Sequence, residues 1–167
     1  MSAPVVAIVG YSDTGKTTIA VSLVRLLSQR GYRIVAVKHA HEGHDLGPAR
    51  KDTSKLFAAG ASKVIASSPG QLTATERVAG DTSLEEIVAT LKDGYDLVIA
   101  EGFKGSSVPK VLVTRRGFPL PAVDSVIAVV GEAPEGGALP VFNPRRIEAL
   151  ADFLVTRLVE GAVNKRR

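Results

Sequence analysis

The chain of 167 residues has no cysteine and no tryptophan, aromatic residues make up only 5% of it, and no apolar run reaches ten residues. Without cysteine there is no disulfide, no thiolate metal site and no cysteine nucleophile, and the lack fits a reducing compartment. A membrane-spanning helix needs about 20 consecutive apolar residues, so none is expected. The N-terminus also lacks the basic start and apolar stretch of a secretory signal, which leads to the expectation of a cytoplasmic protein. Scarce aromatics supply few platforms for stacking bases. The formal charge of +4 is concentrated at the C-terminus: without Lys165, Arg166 and Arg167 the 21 basic residues fall to 18, against 17 acidic ones. A nearly neutral body carries no electrostatic footprint for DNA or RNA, so nucleic acid is not an expected partner.

What is present describes a folded domain. Hydrophobic residues make up 45% and charged residues 23% of the chain, with 16 glycines and 9 prolines, a globular composition at a length close to the usual size of one domain. The expectation is a single domain over residues 1–160 with a basic tail at 161–167. Short runs rich in valine and isoleucine recur at Val5–Val9, Ile34–Val37, Val64–Ala66, Leu97–Ala100, Val111–Val113 and Val126–Val130. They are continuous rather than alternating, as in strands covered on both faces of a mostly parallel sheet. Helical periodicity fills the intervals at Thr17–Arg30, at Ser83–Lys92 behind a Ser-x-x-Glu capping box, and from about Pro144 to Val159. Strand and helix in alternation predict an α/β fold, a mostly parallel sheet flanked by helices. Two segments break the rhythm: the polar, glycine-containing stretch Ala40–Asp52, and Ser106–Asp124, where Val111–Val113 and a turn at Gly117 predict a β-hairpin insertion.

The sharpest local signal is Gly10-Tyr11-Ser12-Asp13-Thr14-Gly15-Lys16-Thr17, which satisfies G-x-x-x-x-G-K-[ST] directly after the first strand and at the start of the first helix. With glycine at about 7% of residues, the bare pattern arises by chance in roughly one chain of this length in a hundred, before the strand-turn-helix setting is required. Glycines at both ends let the backbone curl with its N–H groups inward, and the helix start adds a favourable dipole for a polyphosphate. The expected nucleotide-binding residues are therefore Gly10, Ser12, Asp13, Thr14, Gly15, Lys16, Thr17 and Thr18. Lys16 supplies charge to the outer phosphates, and the Thr17 hydroxyl suits a magnesium ion, which takes few protein ligands. Thr18 reads equally as a phosphate contact and as an ordinary helix-start threonine.

A second carboxylate for the metal is expected at the end of a neighbouring strand. Asp96 and Glu101 bracket Leu97–Ala100. Asp96 begins that strand, at the wrong edge of a parallel sheet, whereas Glu101 ends it, where ligands bind in open α/β folds. Glu101 is thus assigned to the magnesium side, with Thr17. All three histidines, His39, His41 and His44, fall in one loop after Lys38, next to Asp45. Imidazole and carboxylate suit zinc or nickel; a role near substrate or phosphate and plain solvent exposure are the other readings.

In chain order, the loop Gly10–Thr18, Lys38-His39, Lys51-Asp52-Thr53 before Ala59-Gly60-Ala61, Glu101-Gly102-Phe103-Lys104 and Pro109-Lys110 resemble the MobB family, nucleotide-binding adaptors of molybdopterin-guanine dinucleotide synthesis. The resemblance spans nearly the whole chain, and Glu-Gly-Phe-Lys with Lys-His and Ala-Gly-Ala is more specific than the glycine loop alone. It implies a P-loop NTPase-like fold, GTP and Mg2+ as ligands, slow intrinsic hydrolysis, a homodimer, and a guanylyltransferase partner that attaches GMP to molybdopterin. It also makes Lys38, His39, Asp52, Lys104 and Lys110 candidate contacts to substrate or phosphate. The segment Gly47-Pro48-Ala49-Arg50 before Lys51 departs from the family pattern, and the Asn-Lys-x-Asp signature of many GTPases is missing; the guanine preference thus comes from the resemblance alone. No catalytic residue is assigned. Arg115, Arg116 and Phe118 read as subunit-contact residues, since arginine and aromatics are frequent interface anchors. The competing readings are a small-molecule kinase using the same phosphate cradle, with Asp13, Asp52 or His39 orienting an acceptor hydroxyl, and a metal chaperone built on the histidine loop.

Overall fold

A computed structural model describes residues 3–40, 51–133 and 137–161. Two compact units emerge, one formed by Met1–His39 with Ser83–Arg167 and the other by Ala40–Thr82. In the first, strands β1 (Val5–Val9), β2 (Ile34–Lys38), β5 (Leu97–Glu101), β6 (Lys110–Val113), β7 (Val126–Val130) and β8 (Val141–Phe142) form a six-stranded sheet in the order β2-β5-β1-β6-β7-β8. Every pairing in it is parallel. Helices α1 (Lys16–Gln29), α3 (Leu84–Ala89) and α4 (Ile147–Leu154) belong to the same unit, and α4 runs on into a π-type turn over Val155–Glu160.

Alternating side chains of β1 feed two cores. Val6 and Ile8 join Ile19, Leu23 and Leu27 of α1 and Leu150 and Leu154 of α4, while Ala7 and Val9 join Leu84 of α3, Ala100, Leu112 and Val129. Burial on both faces is why these strands read as continuous apolar runs. The α3 start is the capping box read from the sequence: the Ser83 hydroxyl accepts from the Glu86 amide at 3.2 Å, and the Glu86 carboxylate accepts from the Ser83 amide at 2.8 Å.

The hairpin expected over Ser106–Asp124 is corrected. β6 lies between β1 and β7 and is parallel to both, with all four residues buried, so the Gly117 turn does not fold it back on itself. The antiparallel hairpin is in the other unit. There β3 (Lys63–Ser68) and β4 (Gln71–Glu76) pair directly across a turn at Gly70, preceded by helix α2 (Lys51–Ala58). Arg77 ties that unit together, donating to the Phe57 carbonyl at 2.5 Å and lying 4.1 Å from the Phe57 ring.

Where β6 and β7 leave the sheet, their exits are bound to each other. The Thr114 amide donates to the Val130 carbonyl at 2.8 Å, the Glu132 amide donates to the Thr114 hydroxyl at 2.7 Å, and that hydroxyl donates to the Glu132 carbonyl at 2.8 Å. Gly131 sits inside this seam with φ of 114°, and a Cβ there would collide with the Thr114 carbonyl oxygen. Gly131→Ala is therefore expected to lower the unfolding free energy by about 1–3 kcal/mol. Urea unfolding checks this, and a variant as stable as the native chain would show that the seam yields freely.

Candidate functional site

The strand order places the carboxyl ends of β2, β5, β1 and β6 side by side, and the candidate site stands on them. The turn from β1 into α1 starts at Gly10, where a Cβ would lie 2.5 Å from the Val113 carbonyl oxygen of β6. Only glycine lets the loop leave β1 so close to its neighbour. The turn ends at Gly15 with φ of 95°, and Asp13 also has positive φ, at 60°. Aspartate tolerates that region better than most residues. Two bonds converge on one loop carbonyl: the Thr14 hydroxyl and the Lys16 ammonium donate to Tyr11 O at 2.8 and 2.6 Å. Thr14 is buried in this brace, whereas Ser12, Asp13, Thr17 and Thr18 are exposed and Lys16 is half-buried.

Beside the loop, the parallel register sets Glu101 of β5 opposite Ile8 of β1 and Lys38 of β2. One carboxylate oxygen of Glu101 accepts from the Thr17 hydroxyl at 2.7 Å and from the Lys38 ammonium at 2.8 Å. Burial acts to raise the Glu101 pKa, but the bonds from Lys38 and Thr17, with the charges of Lys38 and Lys16, outweigh it and hold the carboxyl below its ordinary value. The Lys16 ammonium is also lowered, chiefly by burial and further by Lys104 and Lys38, while Glu101 opposes the shift. Asp96, by contrast, is at the opposite edge of the sheet, where its carboxylate accepts from the Arg33 amide at 2.7 Å.

The chain after Glu101 is held against the loop. Gly102 (φ 95°) approaches His39 so closely that a Cβ would lie 2.9 Å from the histidine Cβ. The His39 amide donates to the Glu101 carbonyl at 2.9 Å and its ring lies 4.9 Å from that of Phe103. Lys104 stands 5.0 Å from the Tyr11 ring centroid. Along one side of the cluster, Ala20, Val21 and Val24 of α1 face Ala36 and Ile99 across a groove of about 420 Å³ that Lys38 and Glu101 help to line.

Lys16, Thr17, Lys38 and Glu101 are thus brought together, with His39 and Lys104 alongside. Lys110 is placed differently from the expectation for it. Its side chain is 0% exposed, and its ammonium donates to the carbonyls of Ser106 and Val108 at 2.5 and 3.4 Å and to Asp124 at 2.8 Å. It fastens the 106–108 segment from beneath, and its bond holds the Asp124 carboxyl below its ordinary value. Asp52 belongs to the other unit, in the first turn of α2, and accepts from Lys55 at 3.4 Å. His41, His44 and Asp45 lie outside the described residues, and among the described residues no three His, Asp or Glu side chains gather as a metal site. Arg115, expected from the sequence as a subunit-contact residue, reaches the glycine loop, where its Nη1 donates to the Asp13 carbonyl at 3.0 Å. Placing β6 as a parallel strand would have exposed this link, because the residues after Val113 must then emerge beside Gly10.

The parallel sheet, the glycine loop between β1 and α1, and the acid ending the adjacent strand define a P-loop NTPase-like protein. Residues 5–132 match the family model described as molybdopterin guanine dinucleotide synthesis protein B. The chain belongs to this family, MobB. It is 34% identical over 155 residues to the molybdopterin-guanine dinucleotide biosynthesis adapter protein of Haemophilus influenzae, covering 90% of this chain and 87% of that one. With the adapter protein of the same name from Escherichia coli the identity is 31% over 160 residues and the coverage 91% of each chain. A crystal structure of molybdopterin-guanine biosynthesis protein B superimposes with a TM-score of 0.74 at 28% identity, over 92% of this chain and 99% of that one.

A carboxyl group held below its ordinary pKa stabilises the fold fully above the ordinary value, and that contribution is lost as pH falls through the lowered one. The stability gap between the native chain and Glu101→Gln is therefore expected to narrow as pH falls from neutral to below about 4. Urea unfolding at a series of pH values measures it, and a gap independent of pH would contradict the assignment of that charge to Glu101.

Proposed function

We propose that this chain is a GTP-binding accessory protein of molybdopterin-guanine dinucleotide biosynthesis, assisting a guanylyltransferase that joins GMP to molybdopterin. The observation that carries the reading is the meeting of Lys16, Thr17 and Glu101 at the mouth of the glycine loop, in a chain whose family is named for that product. In this reading the inward amides of Gly10–Thr18 and the Lys16 ammonium bind the phosphates, with Lys38 and Lys104 adding positive field from β2 and from the turn after β5. Lys16 then exchanges the neutral Tyr11 carbonyl for a charged phosphate oxygen, which makes a stronger bond.

The donor set fits magnesium: a hydroxyl and a carboxylate oxygen already 2.7 Å apart, both hard ligands of the kind that ion accepts in small number. Thr17 and Glu101 would hold it, directly or through water, and the ion would neutralise phosphate charge. Glu101 is poorly suited to act as a base at neutral pH, because its pKa is held down rather than raised towards the working pH. The names of the relatives support an adaptor over a small-molecule kinase. A partner protein and a second copy of the chain need surface, and one exposed apolar face is available: Ile65 and Leu72 share a face of the β3–β4 hairpin and are 60% and 71% exposed. In this reading the protein works in the cytoplasm; among the described residues no helix is long and apolar enough to cross a membrane.

Lys16→Ala is expected to weaken GTP binding by about tenfold or more while leaving the unfolding transition in place. Calorimetric titration with GTP and magnesium tests this. Equal affinity in the two proteins would overturn the phosphate-binding role of the loop.

A further inference from the structure

The chain leaves β6 on a rigid mount. Leu112 is in register with Val9, the Val113 carbonyl abuts Gly10, and Thr114 is bonded to the exit of β7 through Val130 and Glu132. Arg115 is the next residue and is exposed. Its backbone is held by a turn in which the Phe118 amide donates to the Arg115 carbonyl at 3.1 Å, with Gly117 at φ 84°. Its guanidinium lies 5.9 Å from the Phe118 ring and donates one N–H to the Asp13 carbonyl in the middle of the phosphate loop. Among the described residues it forms no ion pair with a carboxylate. A guanidinium carries five donors in a planar fork and stays charged at every working pH. Here one donor is engaged by a neutral acceptor, and among the described residues the positive charge has no carboxylate partner.

We propose that Arg115 belongs to the nucleotide site as a specificity-determining cation that contacts the terminal phosphate of a nucleoside triphosphate, so that the chain distinguishes triphosphate from diphosphate. The proposal rests on the nucleotide-binding reading above. When the triphosphate binds, Arg115 exchanges the Asp13 carbonyl for anionic phosphate oxygens, a trade of a neutral for a charge-assisted acceptor that a planar fork makes in paired bonds. The loop amides serve the phosphates common to both nucleotides and Lys16 reaches the outer ones of either, whereas Arg115 acts only when the outermost one is present. This role differs from that of a brace: a residue that merely shapes the loop through Asp13 would support both nucleotides alike.

The test is calorimetric titration of the native chain, Arg115→Ala, Arg115→Gln, Arg115→Lys and Lys16→Ala with GTP and with GDP, each with magnesium, alongside urea unfolding of every variant. Loss of the Arg115 charge is expected to weaken GTP binding by about tenfold and leave GDP binding unchanged, with Arg115→Lys recovering part of the loss. Arg115→Gln, which removes the charge but keeps a polar side chain and part of the stem, gives the same readout should Arg115→Ala not fold. Equal losses for GTP and GDP, or no loss for either, would overturn the assignment of Arg115. A native chain that binds neither nucleotide, or that binds no better than Lys16→Ala, would overturn the underlying phosphate-site reading and this proposal with it.

Discussion

Parallel pairing of β5 with both β1 and β2 is the constraint on which the site depends. The register puts Glu101 opposite Ile8 on one side and Lys38 on the other, which brings its carboxylate to the Thr17 hydroxyl and the Lys38 ammonium on the same edge as the glycine loop. A slip of one residue would turn Glu101 to the other face of the sheet and exchange the two cores that flank β5. Burial enforces the register: Val98 and Ala100 point to one side, Leu97 and Ile99 to the other, and all four are essentially inaccessible. The hydrophobic pattern of a strand thereby aims a polar group.

Charge is then distributed unevenly. Lys38, Lys104 and Glu101 gather around Lys16, and burial together with the two neighbouring lysines makes the charged form of Lys16 harder to keep. Such an arrangement is costly without a ligand and favourable with a polyanion, since each added negative charge relieves the repulsion among the lysines. Positive φ at Asp13 and the close approach of Gly10 to β6 point the same way: backbone conformations of limited availability are kept where a loop must be shaped in advance for its partner.

The glycine loop, its strand-turn-helix setting and the role of Glu101 as a strand-end acid were legible in the sequence because each is a local pattern with a fixed spacing. The capping box at Ser83 was legible for the same reason. β6 was misplaced because four residues followed by a glycine turn look alike in a hairpin and in an interior strand; only the partners, β1 and β7, distinguish them. The same ambiguity hid Lys110, a charged residue at a strand start that reads as solvent-facing yet is covered completely and bonded to backbone carbonyls and Asp124. Helix α2, with the sequence KDTSKLFA, and strand β4, with QLTATE, carry too few apolar residues to announce themselves. Arg115 was read as a subunit contact, and its link to the Asp13 carbonyl was hidden because it depends on where β6 lies.

The most direct measurement follows the backbone amide resonances of the isotope-labelled chain as GTP and magnesium are added. If the glycine loop is the phosphate cradle, the amides of Gly10–Thr18 shift most, with Glu101 and Gly102 following as the metal side is engaged, while the strands of the core stay in place. Binding of GTP that leaves the Gly10–Thr18 amides unmoved and shifts those of another surface would contradict it.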